Sequence, residues 1–292
     1  MKNILVGLLF SALWASASVA TKLGVAMAPP LVLANLRFFL AGFVLLGYAW
    51  LFPRKMILRF PTRKELTRLM LFGFLNTTLY LGLYVYAMKY TAAGIGSLAV
   101  STNPLIMVLL TAFWLKKPVR SMDAFAIIFG MAGILIATYP LLQQGLTDPL
   151  GVGLLLASML SVSVASVYYS TLPWQMPNIL INGWQVLLGG IFLLPITLAV
   201  GGMESIQWNL QLVTSVLWLS LAVSVVGLIC WFYLLRQDAV RASMWLFLCP
   251  VFGFVYAWWI VDEPITLYTY IGTLLVAIGL YLGQGARFRR RG

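Results

Sequence analysis

The chain has 292 residues, 62% of them hydrophobic and only 9% charged, with a formal net charge of +12 and no histidine. That composition excludes a soluble globular protein, and the length suits ten membrane-crossing helices of about 20 residues with short loops and no separate soluble domain. The missing histidine removes His-based metal sites, catalytic triads and His proton relays, so no metal and no cofactor is expected.

The first segment combines Lys2, an apolar run from Ile4 and Ser18-Val19-Ala20, which is the pattern of a cleavable signal peptide. A retained first helix is expected instead. Leu9 and Ser11 recur as Leu156 and Ser158, 147 residues on, and apolar character continues to Ala28. From there the apolar runs predict spans near residues 4–26, 31–52, 67–88, 92–115, 121–141, 150–172, 179–200, 212–235, 240–261 and 265–285. The two cysteines, Cys230 and Cys249, fall inside spans and read as packing residues, not as a disulfide framework.

The breaks carry the charge. With the N-terminus placed in the cytoplasm, Lys2, the six basic residues from Arg54 to Arg68, Lys116, Lys117, Arg120, Arg236, Arg241 and the four arginines of the tail all lie inside. Lys22, Arg37 and Lys89 are left in or at the outer ends of spans, and the outer loops hold Asp148, Glu204, Asp262 and Glu263. This bias predicts a multi-pass protein of the cell (inner) membrane with both termini cytoplasmic. The positive charge is thus a topology signal, and no nucleic-acid partner is expected. The partners are the lipid bilayer and a small-molecule substrate.

One stretch repeats. Ala93, Ser97, Pro104, Pro118 and Gly133 recur 146 residues later as Ala239, Ser243, Pro250, Pro264 and Gly279. The register predicts two halves, 1–145 and 146–292, each of five helices. An odd number of spans per half inverts the second half. The corners agree, since Lys116-Lys117-Pro118 is inside and Asp262-Glu263-Pro264 outside. The fold expected is therefore an all-α integral membrane protein, ten helices in two inverted five-helix repeats. Pro104 and Pro250 free the carbonyls of Val100 and Leu246, which must then face a partner or a wet cavity. Matched interruptions in two halves point to a solute site between them. Gly133 with Ala137, and Gly279 with Gly283, permit close helix contact, packing either the two halves or a homodimer.

Leu13-Trp14-Ala15 with Lys22, Arg37-Phe38, the segment Tyr86 to Ala93, Pro104 and Pro250, Trp184-Gln185, and Glu263-Pro264 with Gly279 occur in an order and spacing that resembles the EamA-type members of the drug/metabolite transporter superfamily. The resemblance implies a central cavity enclosed by spans one to four and six to nine, alternating access by rocking of the halves, and export of metabolites or drugs. One departure stands out. Members often carry Glu at the corner after span four in both halves, whereas here the first half has Lys117 and only the second has Glu263.

Helical spacing puts Ser11, Trp14, Ser18 and Lys22 on one stripe of span one, Asn76, Tyr80 and Tyr84 on one of span three, and Ser97, Ser101 and Pro104 on one of span four. Tyr169, Trp184, Gln185, Trp245 and Pro250 join them from the second half. Such groups face protein or a cavity, because facing lipid is costly. Many of the serines are equally explained by back-bonding to the preceding turn, and Tyr84, Tyr169, Trp258 and Trp259 by the interfacial belt. Lys22 and Arg37, either side of Pro29-Pro30, are expected to form a positive site for a carboxylate or phosphate, with Asp262 and Glu263 closing over it. The alternative is that both snorkel to outer headgroups. The function expected is secondary export of a small organic metabolite, with an amino acid or other organic anion favoured. The alternatives are a multidrug efflux carrier, a membrane-embedded lipid enzyme and an accessory subunit. An enzyme would need buried acids or His, and the deep segments hold neither.

Overall fold

The computed structural model describes residues 2–51, 59–103, 105–106, 109–110, 121–237 and 245–288. Pro104, Lys117 and the corner around them lie outside the described residues. Helices run Lys2–Val25 (α1), Pro30–Leu51 (α2), Arg63–Ala87 (α3) and Ala93–Val100 (α4). After these come Ser121–Gln143 (α5), Pro149–Thr171 (α6) and Asn178–Val200 (α7). The continuous run Leu210–Leu217, Trp218–Gly227 and Leu228–Gln237 forms α8. Cys249–Val261 (α9) and Leu267–Phe288 (α10) follow.

Six of these, namely α1, α2, α3, α6, α7 and α8, hold stretches long and apolar enough to cross a membrane. Large apolar side chains face outward on many of them: Leu5, Trp50, Leu210, Trp259 and Tyr281 are each more than half exposed. In water such a surface would aggregate; in hydrocarbon it is the solvated face.

Short polar residues start the helices. Thr62 and Glu65 form a reciprocal capping box at α3, and Arg59 donates to the Glu65 carboxylate from Nη2 and Nη1, at 2.5 and 2.6 Å. Asp148 accepts the Leu150 N–H ahead of α6, where Pro149 occupies the first turn. Asn209 does the same for Leu212 at α8.

Two helices are wound more loosely in their middles. Phe74–Leu79 of α3 and Trp218–Gly227 of α8 are π-helical. The first, moved by 146 residues, falls inside the second. Such segments are rare and concentrate at functional sites.

Pro250 does not kink a continuous helix, as its place in the middle of a predicted span suggested. It sits in the first turn of α9, after a 3₁₀ turn at Trp245–Leu248. The carbonyls there are met by serines across the helix contacts. Ser101 Oγ donates to Leu246 O at 3.2 Å, Ser11 Oγ to Trp245 O at 2.6 Å and Ser97 Oγ to Cys249 O at 3.0 Å. The carbonyl released by the proline therefore has a protein partner.

The α5–α10 pair meets backbone to backbone. A Cβ on Gly133 would lie 2.5 Å from Gly272 O, and one on Gly272 would press into Gly133 O and Ala137. The close-contact stripe Gly133/Ala137 is thus filled by α10 of the same chain. Its partner there is Gly272 with Val276.

Candidate functional site

A cavity of about 110 Å³ lies where α1, α2 and α3 meet α6, α7 and α8. Its polar wall is built from α2, α3 and α7. Arg37, Asn76, Tyr80 and Gln185 all line it, with Ser224 from the π-helical part of α8. Its other wall is aromatic: Phe10 stacks on Trp231 at 5.0 Å between centroids and leans on Trp14 at 5.5 Å.

Arg37 is 3% exposed, and its Nε donates to Ser224 Oγ at 3.1 Å. No carboxylate is bonded to it among the described residues; the ion pair found there is Arg59–Glu65. A buried guanidinium without a counter-ion is costly, so what faces its fork matters. Gln185 is 1% exposed and fixed on three sides. Its Oε1 accepts from Thr77 Oγ1 at 2.6 Å and from Asn76 Nδ2 at 3.3 Å, and its Nε2 donates to Asn182 Oδ1 at 2.9 Å. The helices come close enough for this because of Gly73, whose Cβ would stand 2.5 Å from Gln185 O.

Lys22 departs from expectation. It does not join Arg37. Its Nζ reaches the turn between α3 and α4, donating to Thr91 O at 2.5 Å and Met88 O at 3.3 Å. Met88 O caps the end of α3, where the helix dipole favours a cation, and Thr91 O lies in the turn that follows. The next residues begin α4, where a carboxylate is favoured, and Glu263 supplies it. Its two oxygens accept Ala93 N–H at 2.5 Å and Gly94 N–H at 3.0 Å. Asp262, in the left-handed conformation at φ 53°, ends α9 and turns the chain so that Glu263 can reach across. Burial holds the Glu263 carboxyl above the usual carboxylate range, while the two N–H donors and Lys22 pull the other way. Lys22 and Glu263 thus clasp opposite sides of one turn, about 12 Å along α1 from Trp14.

Of the other residues singled out from sequence, several stand outside the cavity. Tyr84 is buried in the core, its hydroxyl 3.0 Å from where a Cβ on Gly96 would lie. It is a packing residue and not a belt residue. Tyr169 stacks with Trp174 and makes a tilted ring contact with Phe72 at the far end of α6, its hydroxyl 3.3 Å from Asn178 Oδ1. Trp184 turns to Phe60. Ser101, Trp245 and Pro250 belong to the α4–α9 and α1–α9 contacts described above, and Leu246 lines the cavity in their place. Residues missed from sequence are Phe10, Asn103, Ser166, Ser224 and Trp231. Asn103, a lone amide beside Pro104, was the readable signal among them; its Oδ1 accepts from Ser163 Oγ at 2.9 Å. A larger groove of about 460 Å³ runs along α1, α8 and α9, but no charged residue lines it among the described residues, and exposed Trp259 is part of its lining.

Comparison with known proteins agrees with this architecture. The EamA-like transporter family matches the chain twice, over residues 1–139 and 149–283. An uncharacterized transporter of Bacillus subtilis (strain 168), YoaV, is 25% identical over 100% of both chains. A probable amino-acid metabolite efflux pump of Escherichia coli (strain K12) is 24% identical over 99% of this chain and 97% of that one. A crystal structure of another protein has a TM-score of 0.69 over 100% of this chain and 99% of that one at 18% identity, a likeness of fold. With its outward apolar surface and central polar cavity, the chain belongs to the EamA-like transporter family, as a multi-pass membrane transporter and not an enzyme.

Proposed function

We propose that the protein is a secondary transporter that exports a small organic metabolite across the inner membrane, by rocking two inverted five-helix halves about the cavity. The carrying observation is the cavity itself. It is polar on one wall, aromatic on the other, and lined by helices from both ends of the chain. The double family match and the π-helical segments 146 residues apart support two related halves, 1–145 and 146–292. The Lys22–Glu263 clasp supports a closed end at the α3–α4 turn, which the distribution of Lys and Arg assigns to the outside. The name of the E. coli relative, a probable amino-acid metabolite efflux pump, supports a small organic metabolite over a cationic drug.

Purified protein in liposomes tests this directly. Efflux of at least one member of a panel of amino acids, other organic anions and cationic drugs is expected, above protein-free vesicles and without ATP. No flux of any member, from correctly folded protein, would sink the transport reading.

Topology is tested separately. Alkaline phosphatase fused at the C-terminus is expected to be inactive, and a fusion in the Gly201–Asn209 turn to be active. The reverse pattern would invert the assignment.

A further inference from the structure

We infer that the cavity takes a solute with a single carboxylate and an apolar, preferably aromatic, body, and that it disfavours the zwitterionic amino acid of the same shape. The inference rests on the transport reading and narrows its substrate.

The recognition of the anion follows from Arg37. Its side chain is almost wholly buried, lines the cavity and is bonded at Nε to a neutral hydroxyl alone among the described residues. A guanidinium presents a planar fork that matches a carboxylate with two parallel N–H donors. Asn76, whose other contact is the long bond to Gln185, lines the same wall.

The limit to one charge follows from Lys22. The second cation expected beside Arg37 is held by two carbonyls at the α3–α4 turn, outside the cavity lining. Arg37 is then the one charged group among the described lining residues. A second carboxylate, or a phosphate with two charges, would be buried without a partner.

The preference against an ammonium follows from the same inventory. No Asp or Glu is among the described lining residues. Of the described acids on or bonded to α1–α4, Glu65 is paired with Arg59 and Glu263 is committed to Ala93 and Gly94. A buried ammonium needs an acceptor of full charge to offset its desolvation. The opposite wall is instead Phe10, Trp14 and Trp231, two of them stacked, which suits an aromatic or branched body.

A matched series tests it. Radiolabelled phenylacetate is equilibrated with the full-length protein in lipid nanodiscs and displaced by phenylacetate itself, phenylmalonate, phenylglycine or benzylamine. Saturable phenylacetate binding is expected. Phenylmalonate and phenylglycine should displace it at least about tenfold more weakly, and benzylamine not at all. Arg37→Gln should weaken binding by about 10- to 100-fold, and Arg37→Lys less, since it keeps the charge but loses the fork. Should Arg37→Gln fail to fold, the wild-type series decides alone. The inference is overturned if phenylacetate does not bind, if phenylmalonate, phenylglycine or benzylamine binds as well as phenylacetate, or if folded Arg37→Gln binds like wild type. Flux of other solutes with no carboxylate preference would overturn this inference and leave transport standing. Phenylacetate binding without flux of any solute would do the opposite.

Discussion

Glu263→Ala opens the end of the bundle at the α3–α4 turn. The substitution removes the acceptor for two helix-start N–H groups, Ala93 and Gly94, and the negative charge that faces Lys22. Hydrogen bonds to a charged acceptor contribute about 1.5–3 kcal/mol each. Water replaces part of that at a partly buried site, so a shift of about 2–3 kcal/mol toward the open form is expected. The reporter is a cysteine placed at Ala92, which is 1% exposed. Its labelling by a membrane-impermeant maleimide should rise at least about tenfold in Glu263→Ala. Glu263→Gln keeps a neutral acceptor and should lie between. Glu204→Ala, on the exposed turn before α8, should change nothing. Equal labelling in wild type and Glu263→Ala would show that the clasp does not hold this end shut.

Gly272→Leu is expected to cost the most stability of any substitution considered. The side chain would be driven into the Gly133 carbonyl and into Ala137, with backbone on the opposing side that cannot rotate away. Overpacking of this kind costs about 1–3 kcal/mol where side chains can yield, and more where they cannot. The α5–α10 pair would have to separate along its length. In detergent the apparent Tm should fall by roughly 5 °C or more. Gly153→Ala is the control, because nothing lies within 4 Å of a Cβ there. A Tm for Gly272→Leu within a degree of wild type would mean that α5 and α10 do not pack as described.

Most residues of the polar wall, though not Ser224, were readable because burial of a polar group in an apolar run has few explanations. Arg37, Asn76, Tyr80, Gln185 and Trp14 all reach the cavity. What sequence could not supply was rotation about the helix axis. Lys22 and Arg37 share a depth near one turn, and depth alone suggested a pair. Their directions differ, and the carbonyls of Met88, capping α3, and of Thr91, in the turn before α4, hold Lys22 aside. Trp184 and Gln185 are neighbours, so they point about 100° apart; only one can face inward. Tyr84 stands one turn beyond Tyr80 yet packs against α4 instead of reaching the cavity.

The π-helical segments were invisible for a related reason. Where every face of a helix is apolar, the spacing of hydrophobic residues does not report how many residues complete a turn. Ser220 and Ser224 carry the hint, since both bond to or beside Arg37, but their four-residue spacing reads as ordinary α-helix.

Those segments also have a mechanical meaning. A helix wound with i→i+5 bonds is wider and shorter per residue than one wound with i→i+4 bonds. Each of α3 and α8 therefore carries slack, coiled into its middle at the level of the cavity. Tightening the coil would lengthen the helix and rotate one of its ends relative to the other. Asn76 and Ser224 ride on those coils, so the same movement that extends a helix would also turn one polar group out of the cavity wall and bring its neighbour in.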